Sequence, residues 1–478
     1  MIELLTIALV AGALLYRSLH IGLIAIGMIS ALTSAFFFIY FLGRKSFVVG
    51  ILCGIALFAG AVRVSFDTSY VPQSFYNRKI VSGVVQTVDR RLDKTLVTIK
   101  DDQYKKVLQA TSRSKTSVLP GDVVQVRGQV EKPKDFLTDS GRMFEYKNYL
   151  QSKGIVGLVS NSSIKSVSLG GFSVTRVATM LRFHIATIFS QYVSFPTDGL
   201  VSGMLVGYQG SIPEDIQDLF RTTGVLHVLV LSGENITLLA GFLTTILSII
   251  PFKIKSFFIA LAIILIVLIS GSGVAAVRAG IMGCIALSAG LLRRTYVPLR
   301  ALTISVAAFF FYSPATLFVD PGFHLSALAT IFMIVVLSKM QHVFTALPIK
   351  ENIREMIILV IGVPLFMLPY TMYFSGLEPL SSPFANIMMT FAVPIIMLLG
   401  AVIFIFSWIH PLAYLIGIIL SFIGSTVIHI LKILNTMPQL NTPPIAWWGV
   451  VGAYALFFIV VQRKEIQLHS SSFVQESQ

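Results

Sequence analysis

Long apolar runs recur from one end of the chain to the other, broken by one polar stretch over about 66–168. A bilayer core about 30 Å thick asks for about 20 apolar residues per helix, and the runs have that length. Three helices are predicted at 2–16, 19–42 and 46–64. Nine more are predicted at 224–250, 255–271, 273–292, 298–319, 323–340, 353–375, 382–408, 411–434 and 446–462, for about twelve spans. The turn Gly271-Ser272-Gly273 between two of them is very short.

The polar stretch carries a different period. Lys79–Val88, Thr95–Lys100, Tyr104–Thr111 and Asp122–Glu131 are rich in Val and Thr, and much of the last alternates apolar and polar residues, as half-buried strands do. Pro120-Gly121-Asp122 marks a turn, and Gly154–Ser160 supplies a fifth strand. Five short strands in so few residues suit an OB-like β-barrel. Between this insert and the second apolar block, Val174–Ser194 places Val177, Leu181, Ile185, Ile188 and Tyr192 on one helical face, as in a helix lying in the membrane interface. Gly199, Gly203 and Gly207 form a double G-x-x-x-G that permits close helix approach. Ser211, Pro213 and Glu214 read as a capped helix start, with the helix ending near Gly224. The resulting division is 1–65 (three helices), 66–168 (OB-like module), 169–223 (amphipathic interfacial helices), 224–462 (membrane core) and 463–478 (short tail).

Composition agrees with a polytopic α-helical membrane protein: 55% of residues are hydrophobic and 12% charged, against about a quarter charged in soluble domains. The opening Met1-Ile2-Glu3 lacks the basic start and small-residue cleavage site of a signal peptide, so the first segment reads as a retained helix. Two cysteines, Cys53 and Cys284, lie inside apolar runs and predict neither a disulfide framework nor a metal site. No cofactor is expected.

Charge sets the topology. With a cytoplasmic N-terminus, the cytoplasmic loops hold Arg44, Lys45, Lys253, Lys255, Arg293, Arg294, Arg300, Lys339, Lys350, Arg354, Arg463 and Lys464. The short external loops hold only Arg17 and Lys432, which is the positive-inside pattern. Both termini are then cytoplasmic and the β module extracytoplasmic. Within 73–168 there are 17 Lys and Arg against 9 Asp and Glu, and this excess is not an orientation signal because long external domains are exempt from the rule.

Polar groups within membrane spans are costly and mark function. The first cluster is His227, Ser232, Gly233, Glu234 and Asn235, where a glycine among polar residues suggests a broken helix lining a cavity; hydrogen bonding between helices is the plainer alternative. The second is Ser270-Gly271-Ser272 with Arg278, an arginine that either serves a pore or snorkels. The third runs from Asp320 to Ser326 and includes His324; Asp320 either caps the next helix or sits at a pore mouth. The fourth is Ser381-Ser382-Pro383-Phe384-Ala385-Asn386, whose amide Asn386 is structural or functional. There is no Gly-Lys dipeptide and hence no Walker A loop, and the eight histidines show no zinc-hydrolase spacing.

The segment Gly199–Leu243 resembles the signature of the ComEC-type competence family. A Gly-rich helix precedes a Pro-started helix ending Phe220-Arg221-x-Thr223-Gly224, then His227-x-Leu229-x-x-Ser232-Gly233. Val277-Arg278-Ala279, Asp320-Pro321-Gly322-Phe323 with Leu325-Ser326, and Leu380–Asn386 agree in order, and 120–156 is similar to the family's OB-like module. The family often has Leu-His where this chain has Glu234-Asn235, so a role for that histidine does not transfer. Many members end in a metallo-β-lactamase-like nuclease domain, for which the chain leaves no room after the last span.

The resemblance implies a channel for single-stranded DNA across the cytoplasmic membrane, without enzymatic activity of its own. DNA would meet Arg90, Arg91, Lys94, Lys105, Lys106, Arg127, Lys132 and Lys134 on the module, with Tyr104, Phe136, Phe144, Tyr146 and Tyr149 as stacking or packing aromatics. It would then pass His227, Ser232, Gly233, Glu234, Asn235, Arg278, Asp320, Ser326 and Asn386. Implied partners, besides the lipid bilayer, are a cytoplasmic helicase or ATPase, a separate nuclease, a DNA receptor and further copies of the chain. Two rivals are a transporter of another anionic or lipid-linked substrate on the same fold, and an intramembrane enzyme using Ser232, His227 and Glu234.

Overall fold

A computed structural model describes residues 2–18, 46–65, 71–114, 116–137, 141–337, 351–374, 377–441 and 445–457. The span expected at 19–42, the end of that at 323–340, the tail 463–478, and Arg44, Lys45, Lys339, Lys350, Arg463 and Lys464 lie outside the described residues.

Five described helices are long and apolar enough to cross a membrane, at Phe252–Ile269, Val274–Leu291, Ile357–Phe374, Ser382–Phe406 and His410–Leu434. The short turn expected at Gly271 separates the first two, with Gly271 at φ 83° and Ser272 at φ 56°. Other expected spans are broken. The 298–319 run is two helices, Pro298–Tyr312 and Pro314–Val319, because Pro314 cannot donate to a preceding turn. The 323–340 run starts earlier, at Pro321, and its described part passes through a wider-wound turn at Phe332–Val336. The 224–250 run is a one-turn 3₁₀ helix, Leu226–Leu229, an extended link, and a separate helix Gly233–Ile246.

The segment 169–223 contains three helices, and they are not all interfacial. Val174–Tyr192 is capped by Ser173, whose Oγ accepts from the Arg176 N–H. It leaves Val174, Val177, Met180 and Leu181 exposed while Ile185, Ile188 and Phe189 are buried. Thr197–Val206, by contrast, is buried at every residue. Glycines make this possible. A Cβ on Gly199 would lie 2.9 Å from the Ser211 carbonyl, and one on Gly203 would lie 2.7 Å from the Leu229 carbonyl. The expected cap at Ser211 is not formed; the third helix runs Glu214–Thr222 behind Pro213 with no side-chain cap. Phe189, Leu200, Met204, Phe220, Leu229, Ile396, Leu420 and Leu431 belong to one buried core around the central helix.

The module is a seven-stranded sheet. Its strands are β1 (Ile80–Arg90), β2 (Thr95–Asp101), β3 (Val107–Ser112), β4 (Val123–Arg127), β5 (Val130–Glu131), then, after a small separate ribbon β6 (Phe136–Leu137) and β7 (Met143–Phe144), β8 (Ile155–Val159) and β9 (Ser163–Ser168). The order across the sheet is β5-β8-β3-β2-β1-β4-β9. The stretch expected as one strand, 122–131, is two. Between them lies Gly128, where a Cβ would sit 2.5 Å from Val159 Cγ1, so the chain passes close over β8. Before the break β4 pairs with β1; after it β5 pairs with β8. Alternation holds along β3 and most of β4, so Leu108, Ala110, Val124 and Val126 share a core with Val81, Val97, Ile99 and Phe75.

Candidate functional site

The broken segment after Gly224 is built by local polar chemistry. Gly224 takes φ 78° and comes so close to Ser382 that a Cβ would lie 2.6 Å from its Oγ. Thus the signature Gly224 meets Ser382, in the Leu380–Asn386 motif, across the fold. Ser232 caps the Gly233–Ile246 helix, its Oγ accepting from the Asn235 N–H (3.3 Å) and donating to Asn235 Oδ1 (3.0 Å). Asn235 Nδ2 donates to the Met204 carbonyl at 3.0 Å. Ser232 and Asn235 therefore tie the broken segment to the buried glycine helix.

His227 and Glu234 point away from that knot and are exposed. The hydroxyl of Ser232 has Asn235 as its partner, not His227 or Glu234. Glu234 begins a stripe not evident from the polar clusters of the sequence: Glu234, Thr237, Gly241, Thr244 and Ser248 are all exposed and recur at helical spacing. Thr237 and Thr244 spend their hydroxyl protons on the carbonyls of Gly233 and Ala240, leaving oxygen lone pairs outward. At 1.5 Å per residue the stripe is about 21 Å long.

Arg278 lies on the other side of Gly233, the position of whose absent Cβ is 3.7 Å from an Arg278 terminal nitrogen. The side chain is 5% exposed. It donates to Ser326 Oγ and Thr330 Oγ1, and its Nε has no partner. Among the described residues no carboxylate pairs with it. The structure thus joins Arg278 with Ser326, two residues that the sequence placed in separate polar clusters, and adds Thr330, one helical turn beyond Ser326.

Asp320 caps the helix starting at Pro321, accepting from the Phe323 N–H at 3.2 Å. Pro321 has no N–H for the Leu317 carbonyl four residues back. His324 Nε2 donates to that carbonyl at 2.6 Å, so its Nδ1 accepts from Tyr370 Oη at 2.7 Å. Asn386 Nδ2 donates within its own helix, to Ser382 O at 2.8 Å. Asp320 thus serves as a helix cap, and Asn386 bonds within its own helix.

The basic module residues divide. Arg90 packs over the Phe183 ring, its Cζ 4.2 Å from the centroid, and burial pushes its guanidinium below the usual value. Arg91 pairs with Asp89 (3.2 Å), and Lys94 with Glu214 (3.0 Å), a hydrogen bond that raises the Lys94 ammonium. These three serve the junction with the helical part and local ion pairs rather than an open surface. Lys105, Arg127, Lys132 and Lys134 are exposed, and Lys106 half-buried. Arg176 NH1 donates to Asp122 Oδ1 at 2.6 Å, locking the module to its neighbouring helix. Burial alone would raise the Asp122 carboxyl, but hydrogen bonds from the Gly170 N–H, Arg176 and the Leu119 N–H together hold it below the usual range.

Cys284 is a free, half-buried thiol. Among the described residues no three His, Cys, Asp or Glu side chains converge as a metal site would need.

Five helices long and apolar enough to cross a membrane, with a sheet-rich module attached, fit a helical membrane protein. The family described as "Competence protein" matches residues 204–466, more than half of the chain. The chain belongs to this family, the ComEC-type competence proteins. ComE operon protein 3 of Bacillus subtilis (strain 168) is 24% identical over 339 residues, covering 69% of this chain and 42% of that relative, so the chain spans less than half the relative's length. No solved structure matches.

Proposed function

We propose that the chain conducts single-stranded DNA across the cytoplasmic membrane during competence, with the β module outside and the helical core as the path. The observation that carries the reading is Arg278, a charge buried between apolar helices and held by two neutral hydroxyls. Ionisable groups at such positions are expensive and mark the path of a charged cargo. A polyanion is the cargo an uncompensated guanidinium favours, and membership in a competence family supports DNA as that polyanion.

Two features support the details. The stripe from Glu234 to Ser248 would be costly against lipid, about 2.5 kcal/mol or more for a carboxylate at mid-bilayer depth, and it suits a hydrated wall. The way β4 continues into β5, joining β1 on one side to β8 on the other, supports an OB-like closure of the sheet, with Lys105, Arg127, Lys132 and Lys134 free to meet phosphates. Twelve spans with both termini cytoplasmic follow from the basic loops and complete the reading. The driving force would come from a partner helicase, the membrane potential or capture of the strand inside.

Uptake of labelled DNA tests this in cells carrying the wild-type chain, a deletion, or Arg278→Gln with normal membrane insertion. DNA left outside the cytoplasm in both altered strains is the expected result. Unchanged uptake in the deletion makes another anionic or lipid-linked substrate the leading reading.

A further inference from the structure

The β6–β7 ribbon has an apolar side chain at each of its four positions. Phe136 pairs with Phe144, and Leu137 with Met143. By strand alternation the two pairs face opposite sides. Phe136 and Phe144 pack ring to ring at 5.4 Å and meet Tyr146 at 5.7 and 6.3 Å. Leu137 and Met143 have no such cover and are 65% and 63% exposed. An exposed apolar pair on a polar, basic module needs a reason.

The ribbon's position supplies one. Phe144 packs edge-on against Phe374 at 5.8 Å, and Phe374 is the last residue of an apolar helix long enough to cross a membrane. A bilayer crossed by that helix to its last residue would place the ribbon at the boundary. The helix Tyr146–Ser152 that follows it touches a second helix end, since Ser313 Oγ donates to the Ser152 carbonyl at 2.9 Å. Exposed Tyr312 and Tyr373 lie beside these two ends, the aromatic girdle expected at a membrane boundary. Lys132 and Lys134 are exposed just before the ribbon, and Lys153 after it lies 4.3 Å from the Tyr149 ring centroid. Apolar side chains flanked by Tyr and Lys match the headgroup–acyl boundary.

We propose that Leu137 and Met143 insert into the outer lipid boundary and seat the β module on the membrane. Lipid fits better than a DNA strand here, because the most exposed pair is aliphatic and thioether, while Phe144 packs on Phe374 and Phe136, still 49% exposed, packs against Phe144 and Tyr146. The ribbon in lipid would then add to the module's contacts with the helical part, among them the Asp122–Arg176 and Lys94–Glu214 bridges.

The test uses the full chain in phospholipid nanodiscs with Cys53 and Cys284 replaced by Ser. Leu137→Cys and, separately, Met143→Cys carry an environment-sensitive fluorophore, with Lys105→Cys as a label on the open module surface. Doxyl-labelled lipid should quench both ribbon labels and aqueous iodide should not, with the reverse at position 105. Quenching of the ribbon labels by iodide alone overturns the proposal. Protection from iodide that appears only when a single-stranded oligonucleotide is added also overturns it, and makes the ribbon a base platform instead. Since DNA flux is not the readout, failure here leaves the channel reading to its own test.

Discussion

Asn235 donates through Nδ2 to the main-chain oxygen of Met204 at 3.0 Å. Met204 sits in the last turn of the buried glycine helix, where the following N–H groups turn elsewhere: Gly207 donates to Gly203 and Tyr208 to Ser202. The Met204 carbonyl is thus one of the orphan acceptors that any helix end leaves, and a side chain from the broken segment satisfies it. Asn235→Leu should cost about 1–3 kcal/mol by stranding that carbonyl in a dry core. Thermal unfolding of the detergent-solubilised chain should show the loss; an unchanged melting temperature would mean that water reaches Met204.

Two glycines should respond oppositely to the same methyl group. Gly203→Ala would push a Cβ to within 2.7 Å of the Leu229 carbonyl, backbone that cannot swing aside. A destabilisation of about 1–3 kcal/mol is expected. Gly241 has nothing within 4 Å of the added atom, so Gly241→Ala should be neutral or stabilising by up to about 1 kcal/mol through helix propensity. Paired melting curves of the two variants check this.

Ser326 and Thr330 hold Arg278, so removing both acceptors should be worse than removing its charge. Ser326→Ala with Thr330→Val leaves the buried guanidinium only the weak Met282 Sδ acceptor at 4.0 Å, a loss of roughly 3 kcal/mol. Arg278→Gln should fold better than that double variant while abolishing DNA uptake. If the double variant is the more stable of the two, the guanidinium has other partners than these hydroxyls.

The Asp122–Arg176 bridge sets an acid limit for the module's seating. Because the folded state holds the Asp122 carboxyl below its ordinary value, its contribution to stability is fully present above the unfolded value near 3.9 and fades as pH falls through the lower folded value. The stability gap between wild type and Asp122→Asn should therefore be widest near neutral pH and close on strong acidification. A gap that widens as pH falls would contradict the sign of this linkage.

Some of this architecture was legible in the residues and some was not, for definite reasons. Strands β1 to β3 follow from their Val and Thr content, β4 from alternation after a turn signal, and the long helices at 382–406 and 410–434 from run length alone. Run length misled at 298–319, because hydropathy does not register the break that Pro314 makes through its missing N–H, whereas the polar residues around Gly233 already suggested the break that interrupts 224–250 between Leu229 and Gly233. Arg278 and Ser326 were each singled out by polarity though not as partners, whereas Met204 was invisible, since its contribution is a main-chain oxygen that every residue carries. Arg90, Arg91 and Lys94 looked like phosphate ligands by charge; only the fold puts them against Phe183, Asp89 and Glu214.

The most direct test is strand passage by the chain itself. The chain, reconstituted in vesicles that enclose a strand complementary to an external labelled oligonucleotide, should render the single strand resistant to external nuclease. Arg278→Gln, inserted at the same density, should not, and a duplex of the same length should be excluded. Equal protection by Arg278→Gln, or no protection by wild type despite verified insertion and a trapped complement, would contradict a DNA path through this core.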